Sequence, residues 1–347
     1  MPRIQEDAAV ASAARGKHTP VKITDVAAEA GVAPMTVSRV INTPDRVSPA
    51  TTAKVRAAIE KLGYVPNLIA GGLSSRRSRM VAAIVPTIAH PMFAGLVQSF
   101  TDVMRDAGYQ VMLSLSGYDN DGDEALMRTL LGRRPDAMLI TGAEYTEVAW
   151  QLLQESGIPI VEVWEKTARP IDMLIGFDHA ELGARVAEFF LAKGHDRFVA
   201  FTAVDIRAQT RTRGFTDAAR AAGATVLETR IVPAPSTIMS GRQALREMIP
   251  ELTARTALFC SSDQLAFGAM TEARMQGIAV PERLAVCGFG NFELSAASEP
   301  PFTTVNVEGV TTGRMAAEML LHRLAGDADY ESDSVAVPYR VVERAST

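Results

Sequence analysis

From Met80 onward, short apolar runs alternate with longer stretches whose apolar residues recur every three or four positions. MVAAIVPT, VMLSLSG, DAMLITGA, IPIVEVWE, RFVAFTA, TVLETRIV, TALFCSSD and LAVCGFG have the length and β-branched content of strands. Between them, PMFAGLVQSFTDVMRDAGYQ and DEALMRTLLGRRP carry helical spacing. Gly108, Gly157, Gly223 and Gly277 each close a helical stretch just before a strand, as left-handed caps do. Strands alternating with helices predict parallel sheets joined by right-handed crossovers. This part of the chain is too long for one ordinary open sheet, so two similar lobes with a cleft between them are expected. No repeat of 20–50 residues is visible.

The chain before Met80 has a different texture. ITDVAAEAG reads as a short helix with Thr24 as its N-cap and Gly31 closing it. APMTVSRVIN follows after almost no linker. SPATTAKVRAAIEKLG opens with Ser48 as N-cap and Pro49 at the first helical position, and ends at Gly63. YVPNLIAGGLSSRRSRM then reads as a linker that is helical only under some conditions. Residues 1–20 mix charges with alanines and have no continuous apolar core; they read as a disordered tail and not as a secretory signal.

Composition narrows the class. The 347 residues suit two or three domains, and 47% hydrophobic content suits a globular protein. No apolar run approaches the roughly 18–20 residues that span a bilayer. The two cysteines, Cys260 and Cys287, sit in apolar runs and read as buried thiols, which fits a reducing, cytoplasmic compartment. The net charge of −5 hides an asymmetry: Arg15 to Arg79 carries eleven Lys and Arg against four Asp and Glu, leaving −12 on the rest. A basic end on an acidic body predicts a polyanion partner for that end alone, a solvated basic tail being the alternative. No P-loop, no G-x-G-x-x-G after a strand and no G-x-S-x-G elbow is present, so enzyme classes built on them are excluded. The five histidines are spread singly and suggest no metal site, and no cofactor is implied.

Two helices joined tightly at Gly31, with small Ala27 facing the turn and Val37 behind it, match a helix-turn-helix. In that motif the second helix enters the major groove N-terminus first, which places Pro34, Met35, Thr36 and Arg39 near base edges. Thr36 and Ser38 suit phosphates, and Arg39 suits a guanine edge. An ordinary three-helix cap is the alternative.

The stretch ITDVAAEAGVAPMTVSRVINTPDRVSPATTAKVRAAIEKLGYVPNLIAGGLSSRRS resembles the DNA-binding region of the LacI/GalR repressor family. Its T-V-S-R-V-I-N run, the following V-S and L-x-Y-x-P-N are highly specific, and the resemblance continues to the C-terminus. It implies a homodimeric repressor on near-palindromic double-stranded operator DNA. It further implies an α-helical helix-turn-helix domain plus an α/β two-lobed periplasmic-binding-protein-like domain, with no membrane partner. The implied organisation is a tail over 1–20, a DNA-binding domain over 21–66, a hinge over 67–79 and an effector-binding and dimerisation domain over 80–347. The lobes are expected at about 80–176 with 307–328, and about 177–303 with 332–347. By motif position, Pro34 and Met35 match the operator-selecting pair, Arg39 the base-contacting arginine, and Leu73 the hinge leucine that wedges into the minor groove. Thr24, Asn42, Tyr64, Asn67 and Ser74 complete the implied DNA-binding set.

In open α/β lobes, ligands bind beyond the carboxyl ends of strands. TIAHPMF, DIRAQTRTRGF, SSDQLAF and GFGNFEL occupy such places. Arg207 and Arg211 are four apart on one helix face, near a helix start where the dipole disfavours cations. Either Asp205 and Asp217 pair with them, or they clamp an anionic ligand. Arg211 also matches the family's effector-binding arginine in R-x-x-G-F. Ser262 stands where the family has an asparagine and reads as a ligand contact, whereas Asp263 reads as a helix cap. Gly290-Asn291 replaces an acidic pair that grips sugar hydroxyls in many members. Its loss removes negative charge and disfavours a neutral sugar. VEVWE and IGFDHAE resemble the gluconate-repressor branch, which implies a sugar-acid effector such as gluconate or a ketogluconate. Glu162, Phe177, Asp178 and Asn291 are then expected near it, with burial in the core as the alternative for Phe177 and Phe93 either on the ligand's apolar edge or in the core. A neutral sugar or nucleobase effector, or a transport solute-binding protein, remains as an alternative.

Overall fold

The computed structural model describes residues 21–65, 77–118, 123–142, 145–253, 255–327 and 334–347. The chain divides into two compact units, residues 1–78 and 79–347.

In the first unit, α1 (Ile23–Ala30), α2 (Pro34–Asn42) and α3 (Pro49–Leu62) close over Val26, Ala27, Val37, Val40, Val55 and Ala58. Gly31 adopts φ +65°, and its N–H and that of Val32 reach back to the carbonyls of Ala28 and Ala27. This left-handed cap turns the chain through the space a longer linker would need. Pro34 begins α2, where a missing N–H breaks no bond. Ser48 caps α3 by accepting the Thr51 N–H at 3.3 Å. Thr24 is not the cap of α1. The N-cap is Lys22, two residues earlier, and the Asp25 carboxylate accepts the Lys22 N–H at 2.8 Å, leaving Thr24 exposed in the first turn.

The second unit holds two sheets. The first contains β1 (Met80–Val85), β2 (Gln110–Leu115), β3 (Ala137–Thr141), β4 (Ile160–Val163), β5 (Met173–Gly176) and β12 (Ser334–Ala336). Its order is β12-β5-β4-β3-β1-β2, all parallel. The second contains β6 (Arg197–Ala203), β7 (Thr225–Val226), β8 (Arg230–Val232), β9 (Thr256–Cys260), β10 (Leu284–Phe289), β11 (Thr303–Val307) and β13 (Tyr339–Val342). Its order is β13-β11-β10-β9-β6-β7, with β8 also on β6 and β13 antiparallel. The central strands are buried along almost their whole length, as parallel strands covered on both faces must be. Helices α4 (Pro91–Asp106), α5 (Asp123–Gly132), α6 (Glu147–Ser156), α7 (His179–Ala192), α8 (Ile206–Ala221), α9 (Ile238–Met248), α10 (Asp263–Met275), α11 (Glu293–Ala297) and α12 (Gly309–Ala325) connect or cover them.

Two boundaries differ from expectation. TVLETRIV forms two short strands, because β7 and β8 advance four residues from Val226 to Arg230 against three of β6. The extra residue breaks the ladder as a bulge does. Residues 334–336 pair with β5 in the first sheet, so the segment assigned to the second lobe is divided. Val337 donates to the Gly176 carbonyl, Pro338 has no N–H to continue that pairing, and Tyr339 begins the antiparallel pairing with β11. Cys260 and Cys287 are both buried. No helix among the described residues is long and apolar enough to cross a membrane.

Candidate functional site

The second helix of the first unit turns one face inward through Val37 and Val40 and presents the other. Met35 is 64% exposed, and Pro34 and Arg39 are exposed beside it. Met35 and Arg39 stand four apart, so they project from one face. Arg39 makes no ion pair among the described residues. Thr36 and Ser38 are half-buried at the edge of that face. The Asn42 amide is folded onto its own helix, donating to the Ser38 carbonyl at 3.0 Å and its hydroxyl at 3.3 Å. Tyr64 packs half-buried against the three-helix core. Asn67, Leu73 and Ser74 lie outside the described residues.

In the second unit, strand ends from both lobes enclose a cleft of about 490 Å³, open mouth included. His90, Met92, Phe93, Tyr118 and Trp164 come from the first lobe; Ala203, Asp205, Arg207, Arg211, Ser236, Ser261 and Ser262, with His179, come from the second. Arg211 is 6% exposed. Its Nε and Nη2 donate to the Ser261 carbonyl at 3.3 and 2.7 Å, and its guanidinium lies 4.1 Å from the Phe289 ring centroid. No carboxylate pairs with it among the described residues: Asp205 caps α8 through the Ala208 N–H, and Asp217 pairs with Arg220. Burial, and then the charge of Arg207, lower Arg211 from 12.5 to about 10, so it stays charged at neutral pH. A carbonyl, a ring face, the His179 Nδ1 lone pair and the field of Asp205 offset its burial only in part, and no carboxylate touches it among the described residues.

The two histidines of the cleft are neutral. Burial, then Arg211, lowers His90 to about 4 and His179 well below 6.5. His179 Nε2 donates to the Trp164 carbonyl at 2.9 Å, which leaves the Nδ1 lone pair facing Arg211 Nη1 at 3.5 Å. That bond also ties the start of α7 to the first lobe. His90 Nδ1 accepts the Met92 N–H at 3.3 Å, so its proton sits on Nε2. The Trp164 Nε1–H and the Ser261 hydroxyl are buried and find no partner among the described residues. Each such orphan costs about 1–3 kcal/mol. Trp164 also holds φ +77°, a conformation a bulky residue keeps only where its surroundings demand it.

The expected effector residues divide into two groups. Phe93, Arg207, Arg211 and Ser262 line the cleft. Ser262 both caps α10, accepting the Leu265 N–H, and bonds Ser236 at 2.8 Å. Asp263 is therefore not the cap; its carboxylate accepts the Thr304 hydroxyl at 2.5 Å and the Phe292 N–H at 2.8 Å. Burial pushes it up to about 6.

Glu162, Phe177, Asp178 and Asn291 do not line the cleft. Strand alternation turns Glu162 away from Val161 and Val163, into the layer where it accepts the Ile171 N–H at 2.6 Å. Phe177 packs behind the wall against Trp164, His179, Phe289 and Tyr339. Asp178 caps α7 by accepting the N–H groups of Ala180 and Glu181. Asn291, at φ +52°, spends its amide on Asn306 and Arg344. At Gly290, φ +130°, a Cβ would overlap the Phe292 ring, which fills that corner.

Trp164, His90, His179, Tyr118, Ser236 and Ser261 were not singled out from sequence. Trp164 stands directly after a buried strand, and that position was the available signal. Ser236 was hidden because β8 was not separated from β7. No group of three or more His, Cys, Asp or Glu among the described residues could hold a metal.

Residues 22–67 match the bacterial regulatory proteins of the lacI family, and residues 187–347 match the periplasmic binding protein-like domain. The chain is 31% identical to the HTH-type transcriptional regulator GntR of Escherichia coli K12, over 90% of this chain and 94% of that protein. A LacI-family regulator from Silicibacter pomeroyi superposes with TM-score 0.89 at 30% identity, over 94% of this chain and 99% of that one. The lac repressor dimer bound to operator superposes with TM-score 0.80 at 25% identity, over 95% and 99%. With a helix-turn-helix at its front and a two-lobed cleft behind, the chain belongs to the LacI family of bacterial DNA-binding transcriptional regulators.

Proposed function

We propose that this regulator is a cytoplasmic homodimeric repressor that leaves a near-palindromic operator when a small sugar acid enters its cleft. The observation that carries this is Arg211, a buried guanidinium that no carboxylate touches among the described residues, in a cleft where the Trp164 Nε1–H and the Ser261 hydroxyl are also unpaired. A ligand carboxylate supplies the missing charge bidentately. Trp164 Nε1–H, His90 Nε2–H and the Ser261 and Ser262 hydroxyls then meet the remaining oxygens. The resemblance to the gluconate-repressor branch supports gluconate or a ketogluconate. On the DNA side, Pro34 and Met35 read groove shape and thymine methyls, Arg39 reads a base edge, and Thr36 and Ser38 hold phosphates. The ligand draws the lobes together, the hinge around Leu73 withdraws from the minor groove, and affinity falls by the ~1–3 kcal/mol typical of such coupling.

A mobility-shift titration of the full chain on its operator with gluconate and 2-ketogluconate tests this. Release at submillimolar to millimolar acid is expected; operator binding unchanged across that range sinks the sugar-acid effector. Arg211→Met removes the anchoring charge and should weaken acid binding at least a hundredfold in calorimetry. Tight binding that survives the change would favour a neutral sugar or nucleobase instead.

A further inference from the structure

The amino ends of β1 and β3 form one edge of the first sheet, away from the cleft, and that edge is basic. Arg79 stands directly before β1, and Arg133 and Arg134 lie between α5 and β3. The two strand starts are tied together. The Asp136 carboxylate accepts the Arg79 N–H at 2.9 Å, and the Asp136 N–H reaches the Met80 carbonyl at 2.7 Å. Arg79, Arg133 and Arg134 are all exposed. Their guanidinium groups make no hydrogen bond or ion pair among the described residues. The Arg79 guanidinium lies 5.1 Å from the Tyr109 ring centroid, a contact that leaves its N–H fork open. On the β2 side, Arg105 is matched by Asp102 and Asp106.

Two features set this edge apart from an ordinary solvated one. Arg79 and Arg134 hold φ +55° and +54°, a left-handed conformation that glycine or asparagine adopts more readily. Arginine in both places sets backbone strain against side-chain charge, a balance struck where the side chain has a task. The chain arriving at the edge is also basic: residues 76–79 read RRSR, with no acid. Like charges gathered this closely repel unless an anion lies among them. The carboxyl end of α5 favours a cation, but one charge meets that need.

We infer that this edge is a second DNA contact, with Arg79, Arg133 and Arg134 each taking a backbone phosphate of the operator. The partner is the duplex backbone and not its bases, because strand ends offer charge without an element that enters a groove. Six residues separate Leu73 from Arg79, at most about 20 Å of extended chain. With Leu73 in the minor groove the edge is therefore tethered close to the duplex, and for this reach the inference rests on the hinge reading above. The contacts add affinity on any sequence and steepen its salt dependence.

Fluorescence anisotropy of the full chain on operator and on random duplex, over a potassium chloride series from about 50 to about 200 mM, tests it. Each phosphate contact adds about 0.9 to the slope of log affinity against log salt. Changing Arg133→Gln together with Arg134→Gln should flatten that slope by about 1.8 and weaken both duplexes about tenfold or more. The paired changes Arg133→Lys and Arg134→Lys, which keep the charge, should retain the slope. A role confined to bracing α5 would shift the urea midpoint and leave the slope alone. The second contact is overturned if the glutamine variant keeps the wild-type slope, or if the lysine variant loses it too. Arg39→Gln and Leu73→Ala report on the earlier readings separately: each should weaken operator more than random duplex, and either can fail without changing the slope that Arg133 and Arg134 set.

Discussion

Glu162 is fully buried in β4, and burial pushes its carboxyl from 4.5 up to about 7 against the opposing hydrogen bond from Ile171. The folded chain therefore holds this proton more tightly than the unfolded chain does. The stabilisation is complete below about 4.5 and is lost as the pH rises through about 7. His90 and His179 run the other way. Their depressed values keep stability whole above 6.5 and remove it as the pH falls. Comparing wild type with Glu162→Gln in urea at pH 5 and pH 8 cancels the histidines and isolates the carboxyl. The variant should gain about 2–3 kcal/mol relative to wild type between those values. An unchanged difference would mean that Glu162 is not the buried acid its place in β4 makes it. Strand parity alone would have turned this side chain from the cleft, since Val161 and Val163 fill the core face. Family resemblance instead placed it at the ligand. Trp164, one step beyond the same strand, is the residue that reaches the cleft.

Arg211 reaches its place because two helices meet backbone to backbone. A Cβ at Gly183 in α7 would overlap the Arg211 carbonyl in α8, and one at Gly214 would overlap the Ala180 carbonyl. Gly183→Ala should therefore push α8 outward and cost about 1–3 kcal/mol, with acid binding weakened because Arg211 moves with the helix. Gly31→Ala differs in kind. Nothing lies within 4 Å of its added Cβ, so only the left-handed φ of +65° opposes it, at about 1 kcal/mol. Urea denaturation of each full-length variant checks the stability changes, and equal costs would contradict the distinction. Most elements were legible from periodicity and caps: the three front helices, the Gly31 turn and the Ser48 cap follow from local chemistry. The break between β7 and β8 was not, because a bulge depends on which strand is the neighbour. The division of the last segment between sheets was signalled only by Pro338, and a proline marks the end of a ladder without saying which sheet comes next.

At the scale of the whole second unit, one side-chain contact that spans the cleft has a measurable consequence. The His90 ring, from the first lobe, meets the Phe292 ring of the second edge-on at 5.7 Å. Phe292 can lie there because Gly290 has no Cβ, at the position where the resembled family often carries an acid. An edge-to-face pair contributes about 0.5–1.5 kcal/mol beyond its buried area. Phe292 does not line the cleft, so that energy acts on the balance between open and closed lobes and not on the ligand directly. Apparent affinity scales with the fraction of molecules already closed. Phe292→Ala should then weaken gluconate binding about two- to tenfold with the ligand contacts at Arg211 intact. The same variant should need proportionately more acid to leave the operator. The discriminating measurement is calorimetry paired with the mobility shift. A weakened ligand with a matching shift in the release midpoint supports closure as the switch. Unchanged gluconate affinity would show that the two rings meet without holding the lobes together.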